Sequence, residues 1–295
     1  MNSTSRGDGN VPHKLIVLIQ AHANVDLLNR LIDRLVHPDI TIYVNVDRKS
    51  TMPVDRIDPR ARLIRERVSV HWGEVSAVEA TLQALREILA AEPAFDHLTF
   101  ISGQDYPVRR PEEILARLAP HKGEQFLQHD PIVERTHFAD RYGYFHHWHD
   151  SRMPPLAYKL LRGVMKRLGL RRRMVGGLAP FVGGCWFTLT RDCAAHLVER
   201  ARDERLMRFM RSTRYCDEHF FPTLICNSPF AGRIVNDPLR FVEFEAGEAH
   251  PHLLTDAHFD RIVASDALFC RKIDPRGSAS LMDRLDERLA SAGKG

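Results

Sequence analysis

KLIVLIQAHANVDLLNRLIDRLVHPDITIYVNV, residues 14–46, decides the fold. Lys14 to Gln20 is a nearly unbroken apolar run, the pattern of a strand buried on both faces of a parallel sheet. Asn24 predicts a helix start, and Val25, Leu28, Leu31, Ile32 and Leu35 recur behind it at helical spacing. His37-Pro38 stops the helix, because proline disfavours helical geometry in the residue before it. Ile40 to Val46 reads as a second buried strand, and it runs out into Asp47-Arg48-Lys49-Ser50. Open α/β sheets bind ligands at the carboxyl ends of such strands. No G-x-G-x-x-G follows the first strand, so a dinucleotide fingerprint is not supported.

The alternation continues outward. Arg62 to Val70 contains a short strand and leads into His71-Trp72-Gly73. Ser76 and Glu79 have capping-box spacing ahead of a long helix with Val75, Val78, Leu82, Leu85 and Leu89 on one face. His97 to Ile101 is a strand that ends in Ser102-Gly103-Gln104-Asp105-Tyr106-Pro107. Pro111 suits the first position of a helix to Leu118, and Gly123 to Gln128 is strand-like. Alternating strands and helices predict an α/β, three-layer sandwich on a mostly parallel sheet. The expected organisation is a polar disordered tail over residues 1–12, one large domain over 13–275, and a helix or tail over 276–295.

The pattern changes after residue 128. His146, His147 and His149, next to Asp150, lie in a stretch rich in aromatic and charged residues. Their spacing fits no common zinc motif, and an acceptor-binding loop is the other reading. Residues 158–173 carry Lys159, Arg162, Lys166, Arg167, Arg171, Arg172 and Arg173 with no acid, beside Leu160, Leu161, Val164, Met165 and Leu168. Such a segment either lies on an anionic membrane or packs on its own domain with snorkelling basic chains. Gly183-Gly184-Cys185-Trp186 opens a strand, and Thr190 caps the helix after it. Asp217 reads as the N-cap of a helix buried through Phe220, Phe221, Leu224 and Ile225. Glu218, on that helix's first turn, is placed for general-base work, although acids are also common there because they complement the helix dipole. Adjacent Arg271 and Lys272 are either a diphosphate clamp or a solvated pair.

Composition narrows the function classes. A net charge of +4 and a pI near 8.9 suit an anionic ligand or surface and are too weak to imply nucleic acid. Cysteines 185, 193, 216, 226 and 270 are odd in number and scattered, as expected of reduced thiols in an intracellular protein. No signal-peptide core or apolar run of membrane-spanning length is read, so a cytoplasmic protein, peripheral on the membrane at most, is expected.

Taken in order, several stretches resemble the core-2/I-branching and peptide-xylosyltransferase family of inverting, nucleotide-sugar glycosyltransferases. They are Ala21-His22, Val46-Asp47-Arg48-Lys49-Ser50, His71-Trp72-Gly73 and Ser102 to Pro107 in the first half of the chain. In the second half they are Gly184 to Phe187, Asp217 to Phe221, Asn227-Ser228-Pro229 and Leu268 to Ile273. The resemblance implies a GT-A-like fold without a metal-binding Asp-x-Asp, and hence no cofactor. It implies Glu218 as general base and Arg271 with Lys272 on the diphosphate. Ala21, His22, Asp47, Arg48, Val70, His71 and Trp72 would hold uracil and ribose, with Cys185 and Trp186 near the sugar. Asp105, Glu134 and Phe244 would face the acceptor. Cys185 stands where xylosyltransferases have Asp, and Phe244 where a branching enzyme has Trp, so neither donor nor acceptor is inherited.

The expected activity is therefore metal-independent, inverting transfer from a UDP-sugar to a glycan hydroxyl. UDP-N-acetylglucosamine leads, with xylose or glucuronate donors next, and a lipid-linked saccharide or surface glycan is the acceptor class. One competing expectation is a metal-dependent phosphohydrolase built on His146, His147 and His149. The other is a nucleotide-sugar or glycan-binding module without turnover.

Overall fold

The computed structural model describes residues 13–132, 136–149, 151, 153–244 and 251–291. The expected tail, residues 1–12, lies outside them. The residue 14–46 unit forms with the elements expected, although Asn24 stands at the N-cap position without a side-chain cap bond. Strand β1 is Leu15–Ala21, helix α1 is Val25–Arg34 and strand β2 is Ile40–Val46. β1 and β2 pair in parallel from Leu15↔Ile40 to Ala21↔Val46.

Short β3 (Arg62–Leu63) continues the sheet, and α2 (Ser76–Ala91) leads to β4 (His97–Ser102). The capping-box expectation fails at α2. Val75 occupies the N-cap position, and the Ser76 hydroxyl instead accepts from His71 N at 2.8 Å. β5 is Asp105–Pro107, α3 is Pro111–Leu118 and β6 is Gln125–Leu127. After β7 (Asp130–Pro131) come α4 (Thr136–Gly143), α5 (Pro155–Arg167) and β8 (Phe181–Val182). β9 is Phe187–Thr190, followed by α6 (Arg191–Arg200). The Thr190 hydroxyl caps α6 by accepting from Cys193 N at 3.3 Å. Next are α7 (Glu204–Met210), α8 (Asp217–Cys226), β10 (Ile234–Val235) and β11 (Arg240–Val242). The chain closes with α9 (Phe259–Ala264), β12 (Phe269–Arg271) and α10 (Ala279–Ser291).

Seven strands make the main sheet, in the order β10-β6-β9-β4-β1-β2-β3. β9 runs antiparallel to both its neighbours, β4 and β6, and the remaining pairs are parallel. Strand residues alternate between the two faces of a sheet. Leu15, Val17 and Ile19 therefore enter one core with Leu28, Leu31 and Ile32 of α1 and Ile114 of α3. Ile16 and Leu18 enter the opposite core with Val78, Leu82 and Leu85 of α2, Leu197 of α6 and Phe220 of α8. A helical layer on each face gives the expected mostly parallel, three-layer α/β sandwich.

A second sheet, β11-β12-β5, packs beside the first. Tyr106 and Cys270 on it share a third core with Leu27 of α1 and Leu281, Met282 and Leu285 of α10. Arg30 of α1 also binds Asp286 of α10 at 2.8 Å. The 276–295 segment thus holds a helix that is packed into the domain. Among the described residues no helix is long and apolar enough to cross a membrane.

Candidate active site

Parallel pairing brings the ends of β1, β2 and β4 to one edge of the sheet. Ala21 lies beside Val46, and Gln20 beside Ser102. Asp47 continues from there. Its N–H donates to Ala21 O at 2.9 Å, and its carboxylate accepts from Lys49 N at 2.9 Å and Val70 N at 3.2 Å. The Ser50 hydroxyl donates to His22 O at 2.7 Å. Arg48 N donates to Val68 O at 3.1 Å, and the side chains of His22 and Arg48 are exposed. Ala21, His22, Asp47, Arg48 and Val70 are therefore neighbours on one rim.

A second group lies at the other side of that edge. Asp105 is fully buried, and both of its oxygens are occupied. Oδ2 accepts from Ser102 N at 2.7 Å and Ser102 Oγ at 2.5 Å, and it meets Arg271 Nη1 at 3.3 Å. Oδ1 accepts from Arg240 Nε at 2.5 Å. The Asp105 expectation is corrected on this ground: the carboxylate lies beneath the site and holds its cations, so it does not present an oxygen to an acceptor. Arg240, the first residue of β11, is a site residue that no sequence signal marked. Its side chain is 2% exposed, and its Nη1 has no hydrogen-bond partner.

Trp186 lies under both guanidinium groups, with the Arg240 and Arg271 carbons 5.2 Å and 4.9 Å from the indole centroid. Arg271 spends one nitrogen on Ser102 and Asp105. Lys272 makes no ion pair among the described residues, and its backbone carbonyl accepts from Leu254 N at 2.9 Å.

Helix α8 delivers the acids. Tyr215, at φ 51°, turns the chain into it, and its N–H donates to Gly73 O at 2.8 Å. Cys216 takes the N-cap position with helical backbone angles, so Asp217 is the first helical residue. The reading of Asp217 as N-cap is therefore wrong by one position. Pro222 lies within the helix and has no N–H to offer the Glu218 carbonyl. Gly183 N fills that vacancy at 2.8 Å. A Cβ at Gly183 would run into the Gln128 carbonyl oxygen, so the loop into Cys185 needs glycine there. The Glu218 carboxylate is 38% exposed and paired with Arg141 of α4, whose guanidinium also lies over Phe138 and Tyr215. Arg141 gave no signal in the sequence.

Cys185 bridges the two groups. Burial raises its thiol pKa, as does Asp217, and its surroundings include Glu218, Arg271 and Arg240. The thiol hydrogen-bonds to Asp217. The neutral thiol thus feels both the acids of α8 and the cations over Trp186.

The histidine cluster does not assemble as expected. His146 Nε2 meets Asp140 O at 3.1 Å, and His147 Nδ1 meets Met153 O at 3.1 Å. His149 Nδ1 meets buried Glu74 at 2.5 Å and stacks on His71 at 3.7 Å between centroids. The three histidines thus point to different partners. His71, Glu74 and His149 offer ligand atoms within 4.8 Å of one another, the one such group among the described residues. Trp72 is 63% exposed and meets Tyr215 edge-on at 5.0 Å. Phe244 is 62% exposed. Glu134 and Asp150 lie outside the described residues.

Asp217 supplies a test of this geometry. Burial, reinforced by Glu218, pushes its carboxyl from an ordinary 3.8 up to about 6. Between these values the native state holds a proton that the unfolded chain has released. Asp217 therefore removes stability as pH rises from about 4 to about 6. Asp217→Asn should gain stability relative to wild type in melts at pH 7.5, and less at pH 4.5. An equal difference at both pH values would refute the buried placement.

The profile of the Core-2/I-Branching enzyme family matches residues 18–263. Human xylosyltransferase 1 is 25% identical over 79% of this chain and 24% of its own length. Dog xylosyltransferase 2 is 25% identical over 78% of this chain and 26% of its own length. Mouse N-acetyllactosaminide beta-1,6-N-acetylglucosaminyl-transferase is 25% identical over 72% of this chain and 53% of its own. The chain thus spans about a quarter of the xylosyltransferases it matches. With a match across nearly the whole sandwich, this chain belongs to the core-2/I-branching enzyme family.

Proposed function

We propose that this chain is a metal-independent, inverting glycosyltransferase of GT-A-like fold that moves a sugar from a UDP-sugar to a glycan hydroxyl. N-acetylglucosamine is the leading sugar, with xylose or glucuronate next. The observation that carries the reading is that buried Cys185, hydrogen-bonded to Asp217 beside Glu218, feels the charges of both Glu218 and Arg271. A carboxylate and a cation thus both act on one buried thiol.

In this mechanism Glu218 takes the proton of the acceptor hydroxyl, and the oxygen attacks the anomeric carbon from the face opposite the leaving UDP. Arg141 holds the Glu218 carboxylate in place before the acceptor arrives. Lys272 and the uncommitted nitrogens of Arg271 offset the charge that develops on the diphosphate. Asp47, Ala21, His22, Arg48, Val70 and His71 receive the nucleoside, whereas Trp72, expected with them, lines a neighbouring cavity with Trp148, Tyr158 and Arg214. The family match and the xylosyl- and N-acetylglucosaminyl-transferase relatives support transfer chemistry.

UDP titration in EDTA tests the cation side. Wild type should bind UDP with or without divalent metal, and Lys272→Ala should weaken binding about tenfold or more. Lys272 is a cleaner probe than Arg271, because Arg271→Ala also strips a partner from Asp105. Binding only after magnesium is restored would exclude the metal-independent reading.

Glu218→Gln tests the base. It should keep the fold and UDP affinity while transfer falls by roughly 10²–10⁴. Wild-type transfer in this variant would remove Glu218 from the mechanism.

Helix α5 supports peripheral contact with anionic membrane. Leu156, Leu160 and Val164 form a ridge 53–65% exposed, and α5 has no fully buried residue. Lys159 and Arg167 flank the ridge without ion pairs among the described residues, whereas Lys166 and Arg171 are paired with Asp140. Arg172 is spent internally, donating to the carbonyls of Tyr144, Phe209 and Ser212. Flotation with anionic vesicles should succeed at low salt and weaken at high salt or in Leu160→Ser. Equal recovery with neutral vesicles would sink the idea.

A further inference from the structure

A cavity of about 290 Å³ opens between the His71-Trp72-Gly73 loop, the loop of residues 145–148 and the inner side of α5. Its walls include the rings of Trp72, Trp148 and Tyr158, and the cations Lys159, Arg162 and Arg214. Among the described residues no acid lines it. Lys159, Arg162 and Arg214 make no ion pair among the described residues, unlike Lys166 and Arg171 farther along the same segment.

The walls are firmly held. Trp148 Nε1 donates to Thr213 O at 2.7 Å, and Trp148 N donates to Ser151 Oγ at 2.7 Å. His147, also in the lining, meets the Tyr158 ring edge-on at 5.5 Å. Arg214 lies over the Tyr215 ring at 4.8 Å and donates to its hydroxyl at 3.0 Å.

The cavity also lies next to the proposed base. Trp72 and Arg214 both contact Tyr215, and Arg141, the partner of Glu218, lies over the same ring at 4.7 Å. One aromatic side chain therefore separates the cavity from the Arg141–Glu218 pair. A molecule seated there lies on the Tyr215 side of the Arg141–Glu218 pair.

The chemistry of the lining selects its occupant. Flat rings such as Trp72, 63% exposed, offer broad apolar faces to the C–H face of a pyranose. Three cations without an ion pair among the described residues favour a negative charge, and the arginine forks match carboxylate or phosphate. We propose that this cavity is an acceptor subsite for an anionic saccharide, a sugar ring that carries a carboxylate or phosphate beside it. The proposal rests on the transferase reading above and adds the charge class of the acceptor. The charge has two sources, an acidic sugar within a glycan or the phosphate that joins a glycan to a lipid.

The test titrates UDP-saturated protein with methyl β-glucoside, methyl β-glucuronide and glucose 1-phosphate, read by tryptophan fluorescence. UDP fills the donor site, so the phosphate probe reports on the cavity. At least one anionic probe should bind at least tenfold tighter than the neutral glucoside. The tighter anion identifies the source: the glucuronide an acidic sugar, glucose 1-phosphate a lipid-linked phosphate. In Lys159→Ala/Arg162→Gln that preference should fall at least tenfold, with UDP and glucoside affinities unchanged. Equal affinity for all three probes, or a preference untouched by the double variant, overturns the proposal. Wild type that binds no UDP would instead overturn the transferase reading, and the same probes titrated without UDP would still decide the cavity.

Discussion

The carboxylate of Asp105 is the interaction on which the site's geometry depends. It lies on β5 directly opposite Arg271 of β12, and Arg240 reaches it from β11. Ser102, at the end of β4, binds the same oxygen as Arg271. One buried charge therefore ties the small sheet to the large one. It also lets two guanidinium groups share a single indole, where without an anion their repulsion would separate them. Removing one partner from such a cluster leaves an uncompensated buried charge, and the typical cost is about 3–5 kcal/mol. The diphosphate-side cations of the proposed mechanism are thus a product of tertiary packing.

Much of the framework was legible because its signals are local. The apolar run of β1, the stripe of α1 and the buried run of β2 each lie within a single element, and a period of 2 or 3.6 reveals them. The same holds for Thr190, whose cap bond reaches only three residues. Ser76 failed because a competing partner, the His71 backbone, lies just upstream and captures its hydroxyl. Asp217 failed by one residue because the turn at Tyr215 starts the helix early. The segment 158–173 looked like one stripe, yet it has two sides: Leu161 and Met165 are half-buried while Leu160 and Val164 stand bare.

Less of the site was legible. Strand-end motifs pointed to one edge of the sheet, and Asp47, Ala21 and Val70 do meet there. Asp105 looked like one more strand-end acid open to ligand, because nothing nearby in sequence announces Arg240. Arg141 was likewise invisible, since its partner Glu218 lies on a helix far along the chain. Pairings of this kind are decided by which loops the sheet order brings together, and no periodicity encodes that.

The proline inside α8 has a consequence for how this sequence can change over generations. Because Pro222 has no N–H, the Glu218 carbonyl is open to Gly183, and the loop that carries Cys185 hangs from the helix by that bond. A residue at 222 with an N–H would reclaim the carbonyl for the helix and release the loop. A residue larger than glycine at 183 would be driven off by Gln128 even with the carbonyl free. The two positions are therefore coupled through a single hydrogen bond. A descendant that loses either one keeps the helix and its acid but loses the grip that sets how far that acid stands from the cations.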